Sequence, residues 1–257
     1  VLTLIDVDGG DAFQGNNTQT HAFQVGLNVD TTSDPFVVHS RILAPWFDDV
    51  TTNLNFLSEG MFIGTGDQDN YLKMVFARNS NNIELLLEEN GGTTAEKVGS
   101  NLTAATGLDF FLLVDPATNT AQAQLSIDGA PLVNIGALID LPPAWLDPGD
   151  DFGLAMGLIS TSFGGGDPFD ANFDLLEAYF LATDDSFDAL EDDALASLDV
   201  LANDHVDPDL FIVAVGATDS GGLAVLNDNG TPLDTSADVI DYTPAADFLG
   251  VETFTYT

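Results

Sequence analysis

Apolar and polar positions alternate along much of the chain. His21-Ala22-Phe23-Gln24-Val25-Gly26-Leu27-Asn28-Val29 alternates, as do Tyr71-Leu72-Lys73-Met74-Val75-Phe76 and Ala121-Gln122-Ala123-Gln124-Leu125-Ser126-Ile127. A period of two is that of half-buried strands. Unbroken apolar runs follow Asp109 (Phe110-Phe111-Leu112-Leu113-Val114) and fill Phe152 to Ile159, as expected of strands buried between two sheets. Turn signals separate these segments: Asn90-Gly91-Gly92, Asp115-Pro116, Asp128-Gly129, Asp147-Pro148-Gly149 and Gly164-Gly165-Gly166-Asp167-Pro168. One short helix is predicted, from Asn134 to Leu141, ending at Pro142-Pro143. Many strands at short spacing, with Gly and Pro turns and almost no helix, predict an all-β protein built as a β-sandwich.

Charge narrows the function. The 257 residues carry 42 acidic side chains and 4 basic ones, a net charge of −38. Arg41, Lys73, Arg78 and Lys97 are the only cations, so nothing basic follows residue 97. Such a surface repels phosphate backbones and anionic lipid heads, which excludes nucleic acid and membrane surfaces as partners. A hydrophobic content of 45% argues for a folded core rather than disorder. Cysteine is absent, so disulfides and thiolate zinc sites are unavailable. No apolar run reaches the roughly 20 residues that span a bilayer. The two ends, Val1-Leu2-Thr3-Leu4-Ile5 and Thr253-Phe254-Thr255-Tyr256-Thr257, read as mid-protein. The chain is therefore expected to be a piece of a longer secreted polypeptide.

The acid is 34 Asp against 8 Glu, together the 42 carboxylates. Asp suits turns, caps and calcium loops. Two readings stand: a surface adapted to high salt, and Asp-rich loops neutralised by calcium. The clustering of Asp in short loops favours calcium at one or more sites. A domain boundary is expected near residue 183, giving domains 1–183 and 184–257. The second holds 15 Asp and 2 Glu with no cation.

That second segment carries Phe187 with Glu191-Asp192, then Leu198-Asp199-Val200-Leu201-Ala202-Asn203-Asp204 and Asp207-Pro208-Asp209. Tyr242-Thr243-Pro244, Phe248-Leu249-Gly250 and Phe254-Thr255-Tyr256 follow. The combination resembles the cadherin-like (bacterial Ig-like) tandem repeats of secreted bacterial adhesins. The resemblance implies calcium near Glu191, Asp192, Asn203, Asp204, Asp207 and Asp209, stiffening a string of modules. Two departures stand out. Asp209 runs straight into Leu210-Phe211-Ile212-Val213, and the repeat stops at Thr257 where relatives continue through a further strand. In the first segment, Ser58-Glu59-Gly60-Met61-Phe62-Ile63-Gly64-Thr65-Gly66-Asp67-Gln68-Asp69-Asn70-Tyr71-Leu72-Lys73 resembles the strand-turn-strand core of concanavalin A-like (laminin-G-like) jelly rolls. That family includes glycan binders, glycoside hydrolases and modules without known ligand, so it implies architecture before activity.

Candidate chemistry is sparse. Asp6, Asp8 and Asp11 flank Gly9-Gly10 and either form an acidic hairpin or converge on calcium. Asp67, Asp69 and Asn70 either present polar groups to sugar hydroxyls, with Tyr71 or a nearby Trp stacking on the ring, or simply cap their turn. Trp46 and Trp145, each beside a proline, suit a sugar-stacking platform or, more commonly for such a residue, plug one end of the sandwich. A glycosidase needs two carboxylates facing across a cleft. No strand bears Glu, Asp and Glu at alternate positions, and Glu88-Glu89, being adjacent, face opposite sides. The three His are scattered and read as structural. The expectation is thus a non-enzymatic, extracellular or cell-surface adhesin fragment: a jelly roll holding a glycan or other surface ligand, then a calcium-stiffened spacer. The rival is a passive structural module assembling with neighbouring repeats or copies of itself, and a glycoside hydrolase ranks third.

Overall fold

The alternating segments become antiparallel strands, each giving one face to a core. The structure, a computed structural model, describes residues 1–13, 15, 17–47, 57–78, 82–99, 102, 104–146, 153–163, 168–181, 184–190, 195–204, 212, 214–230 and 238–256. The chain divides into two compact units, Val1–Tyr179 and Phe180–Thr257.

The first unit begins with β1 (Leu2–Val7), β2 (His21–Leu27), β3 (Phe36–Leu43), β4 (Leu57–Gly64), β5 (Asn70–Ala77) and β6 (Asn82–Glu89). It continues with β7 (Gly92–Gly99), β8 (Gly107–Asp115), β9 (Thr120–Ile127), β10 (Val133–Asp140), β11 (Leu154–Ser162) and β12 (Phe169–Phe180). They form two six-stranded sheets, ordered β1-β12-β3-β8-β9-β10 and β2-β11-β4-β5-β6-β7. The chain crosses repeatedly from one sheet to the other, which makes the unit a jelly-roll β-sandwich. Phe36, Phe76, Phe110, Phe173, Met61 and Leu72 are fully buried in the core between the sheets. Each such side chain contributes about 1.5–3 kcal/mol of burial energy. The Asn90-Gly91 signal forms a two-residue hairpin between β6 and β7, both residues at positive φ (49° and 79°).

The predicted helix at Asn134–Leu141 is instead β10, paired with β9. Its register shifts between Ile135 and Ile139, and Gly136 has φ +69°. The bulge breaks the period of two and leaves Ile135, Leu138 and Ile139 at a helix-like spacing. A single 3₁₀ turn, Pro143–Leu146, follows.

The second unit contains β13 (Leu195–Leu198), β14 (Leu223–Asn227) and β15 (Val239–Thr243), ordered β13-β15-β14. A small core of Leu198, Val200, Ile212 and Ile240 is capped by Tyr242, Phe254 and Tyr256. Tyr242 stacks on Phe254 at 5.9 Å. The protein is thus all-β, a jelly roll followed by a smaller Ig-like unit.

One core position breaks the pattern. Glu59 lies directly opposite Phe76 and Ser160, on the core side of β4. It is fully buried, and neither oxygen has a hydrogen-bond partner among the described residues. Burial pushes its carboxyl well above the ordinary value of 4.5. Because the folded value is the higher one, the stability tied to the neutral carboxyl is complete below the unfolded value. It is lost progressively as pH rises toward and through the folded value. Glu59→Gln is therefore expected to melt like the parent in acid and above it as pH rises, the gap widening by about 1.4 kcal/mol for each pH unit above the unfolded value until the folded value is passed. Parallel thermal melts across pH check this; a constant offset between the two proteins would contradict it.

Candidate functional site

The outer face of the β2–β7 sheet is where polar chemistry collects. Alternation along β5 turns Tyr71, Lys73 and Val75 to that face, and along β6 it turns Glu84, Leu86 and Glu88. Phe62 of β4 joins them, opposite Gly157 of β11. A Cβ on Gly157 would stand 2.6 Å from the Phe62 ring, so glycine is what lets the ring lie there. An outer sheet face is normally solvated, yet these side chains are buried. The connection between β1 and β2 covers them, with Ala12 packed among Phe62, Tyr71, Val75, Leu86 and Ile159.

Polar contacts fasten that cover. Lys73 Nζ donates to Ala12 O at 2.7 Å and pairs with Glu84 at 3.4 Å. Burial pushes the Lys73 ammonium below its ordinary value, and Glu84 offsets part of that. Glu88 accepts from Tyr71 Oη (3.0 Å), Gly15 N (3.0 Å) and Asn17 Nδ2 (2.9 Å). Burial, with Glu88 next in effect, pushes the Tyr71 hydroxyl up. Burial likewise raises Asp11.

Where the cover ends, a depression of about 260 Å³ opens. Phe62, Tyr71 and Ile159 are among its apolar lining, with Gln19, Thr20, Gln24, Asp67 and Gln68 the polar part. Gln24 Nε2 donates to Gly66 O at 3.2 Å and Gln68 Nε2 to Gln19 O at 3.3 Å, lacing the rim together. Asp67 accepts from Asp69 N (2.7 Å), Thr65 Oγ1 (2.8 Å) and Asn70 Nδ2 (3.2 Å). Partial burial works to raise Asp67, but these hydrogen bonds outweigh it and hold the carboxyl below its usual value. Turn capping and rim placement therefore coexist in Asp67.

The other predicted ligand residues scatter. Asp69 accepts from Asn17 Nδ2 at 2.5 Å, and Asn70 Oδ1 accepts from Asn90 N at 3.1 Å, so both tie loops together. Three aromatic assignments need correcting. Tyr71 is 2% exposed and lines the depression without offering an open stacking face. Trp145 is also 2% exposed and belongs to the core. Trp46 packs edge-on to Phe76 at 5.6 Å and donates from Nε1 to Ala105 O at 3.1 Å, plugging the sandwich. Sequence reasoning missed Gln19, Thr20, Gln24, Phe62 and Gln68. Each is an ordinary polar or strand residue, and only the covering segment makes them neighbours.

The acidic predictions also separate. Asp6 and Asp8 are exposed, while Asp11 is half-buried beside Lys73. Among the described residues no three His, Asp or Glu side chains gather as a metal would require, so Asp6, Asp8 and Asp11 do not converge. Glu191, Asp192, Asp207 and Asp209 lie outside the described residues. Asn203 donates to Asp184 O at 3.2 Å, and Asp204 is buried. Burial raises Asp185, the hydrogen bond from Tyr256 (2.9 Å) opposes this, and Asp204, Asp184 and Asp199 add to the rise. His39 sits between Glu177 (3.0 Å) and Asp109 (3.1 Å) and stacks on Phe111, cross-linking strands.

Comparison with known proteins bears on the second unit. Residues 178–257 match the family model described as a bacterial Ig domain. No curated protein matches the sequence. Among solved structures, a functionally unknown protein from Saccharomyces cerevisiae is 12% identical, covering 68% of this chain and 85% of its own, with TM-score 0.49. Peanut lectin is 10% identical over 68% of this chain and 82% of its own, with TM-score 0.42. A bifunctional GH43-CE protein of Bacteroides eggerthii is 14% identical over 69% of this chain and 24% of its own, with TM-score 0.39. Their descriptions differ from one another, and at this likeness none is carried over to the present chain.

The cover's anchorage is directly testable. Lys73→Met removes the ammonium from beside buried Glu84 and is expected to cost about 3–5 kcal/mol. Adding Glu84→Leu should restore most of that loss, because an apolar pair needs no compensating charge. Denaturant unfolding of the single and double variants decides it; equal losses in both would remove the ion pair from the account.

Proposed function

We propose that the chain is a glycan-binding module of an extracellular or cell-surface bacterial protein, a jelly roll carried beside an Ig-like spacer. The observation that carries this reading is the depression at the end of the covering segment. Its mix of aromatic and aliphatic side chains with amides, a hydroxyl and one hydrogen-bonded carboxylate suits a sugar, which presents hydroxyl edges and apolar ring faces. The strong negative charge favours a neutral or cationic saccharide over a sulfated or uronic one. The match of residues 178–257 to a bacterial Ig domain supports a surface setting. We take the module to act without catalysis. Glu84 and Glu88 share one face of β6, but both are buried and Glu88 already accepts three hydrogen bonds.

Calorimetric titration with neutral oligosaccharides tests the proposal. Gln24→Ala and Gln68→Ala are each expected to weaken binding about tenfold, or about 1.4 kcal/mol, while leaving the fold intact. Binding that survives both substitutions would place the ligand elsewhere.

The spacer reading adds calcium. No three carboxylates gather for a metal among the described residues, so this part of the reading rests on Glu191, Asp192, Asp207 and Asp209, which lie outside them and offer the oxygens that hard cations take. At fixed high ionic strength, calcium at about 100 times its dissociation constant is expected to stabilise the second unit by about 2.7 kcal/mol relative to chelator. Superimposable melts would leave the acid as a solvated surface. A second reading, a structural module that assembles with its own copies, draws on apolar side chains exposed along strand margins, including Phe23, Val25, Leu138 and Val225.

A further inference from the structure

A strand at the margin of a sheet leaves one row of backbone N–H and C=O groups without a ladder. Natural margins are guarded by bulges, charges or prolines. In the first unit, β1 and β10 are guarded in this way. The pairing of β1 shifts between Leu4 and Val7, with Asp6 at positive φ, and that of β10 shifts between Ile135 and Ile139.

β2 has none of these guards. It closes one side of its sheet and pairs with β11 without interruption from His21 to Leu27. It contains no Lys, no Pro and no carboxylate, in a chain with 42 of the last. Every residue from Ala22 to Gly26 is exposed, including Phe23 at 46% and Val25 at 37%.

The strand is also complementary to itself. Laid antiparallel about a two-fold axis at Gln24, it sets Phe23 opposite Val25 twice, Ala22 opposite Gly26 and His21 opposite Leu27. An aromatic against a β-branched residue is a favourable cross-strand pair, and no like charges meet. The faces agree as well. Gln24 lies opposite Gly157, which lies opposite Phe62, so Ala22 and Gln24 stand on the face that carries the depression, and both line it.

We propose that β2 is a homodimerisation edge: two copies pair their β2 strands antiparallel about Gln24, joining two six-stranded sheets and setting two depressions side by side on one face. The pairing stands on β2 alone, and only its consequence, bivalent capture of a repetitive glycan, rests on the proposed function. A pair of molecules each at −38 resists approach until salt screens it. Association is therefore salt-driven.

Sedimentation equilibrium of the full chain, without sugar, tests this. Between about 0.01 M and about 1 M salt the screening length falls from about 30 Å to about 3 Å. The dimer dissociation constant should fall by about tenfold or more over that range. Phe23→Glu and Val25→Glu, which touch neither the depression nor its cover, should restore the monomer at high salt, with a lowered melting midpoint because both stand on the core-side face opposite Leu158 and Met156. Hydrogen exchange of the unmodified chain at high salt gives a reading that needs no variant: β2 amides should gain protection as concentration rises. A monomer at every salt and concentration overturns the proposal, and so does a dimer that keeps its affinity in both variants or protects amides elsewhere. Because no sugar is present, failure here leaves the glycan reading standing, and failure to bind glycan leaves the dimer standing.

Discussion

The packing of two apolar sheet faces against each other has to hold together a chain that carries −38. Self-repulsion of that size works against any compact state. The opposing term is the continuous core from Phe36 and Phe173 in one sheet to Phe76 and Leu72 in the other, with no ion needed inside it. In the first unit the described ionisable side chains sit on the outer faces and the turns, while small hydroxyls such as Ser40 and Ser160 are admitted at core-side positions. Glu59 is the exception, buried without a described partner, and that burial favours its neutral form.

The preference for Asp over Glu has a local cause beyond salt adaptation or calcium. A short carboxylate reaches the N–H groups of its own turn. Asp128 accepts from Thr106 N, Thr106 Oγ1 and Gly107 N, and hydrogen bonds from Thr106 and Gly107 hold its carboxyl below the usual value. Asp30 is held down by the Thr32 hydroxyl and amide, and Asp219 by Thr253 N and Oγ1. Asp115 receives Ala117 N at 3.0 Å. In a fold with this many short connections, much of the acid caps backbone. The few cations are placed with equal economy. Lys73 is buried beneath the cover, and Arg41 lies 3.9 Å from Asp109, the carboxylate that His39 also faces.

What was legible in the sequence follows from the range of each interaction. Strand alternation and the Asn90-Gly91 hairpin depend on near neighbours, and both are visible in the order of residues. The β10 segment misled because a bulge at Gly136 is a tertiary choice that imitates helical spacing. The site was half visible. Asp67 and Tyr71 do line the depression, yet Tyr71 looked exposed because alternation alone puts it on an outer face. Its burial comes from Ala12, about sixty positions away, and no local pattern announces that contact. The tryptophans beside prolines admitted both a stacking platform and a sandwich plug, and both are drawn into the sandwich as packing.

The position of the depression explains why it is polar. Over β5 and β6 the outer face is covered, so its carboxylates and its lysine must find partners within the cover. Toward β2 the cover ends, and Gln24 and Gln68, both exposed, each commit one amide N–H to a backbone carbonyl, which is part of their hydrogen-bonding capacity. Neutral amides hold such a place at less cost than charged groups, because half-exposed amides exchange protein for water partners without large desolvation. β2 then carries two demands at once, one wall of that depression and one margin of the sheet. The alternation of Ala22 and Gln24 with Phe23 and Val25 divides those demands between its two faces.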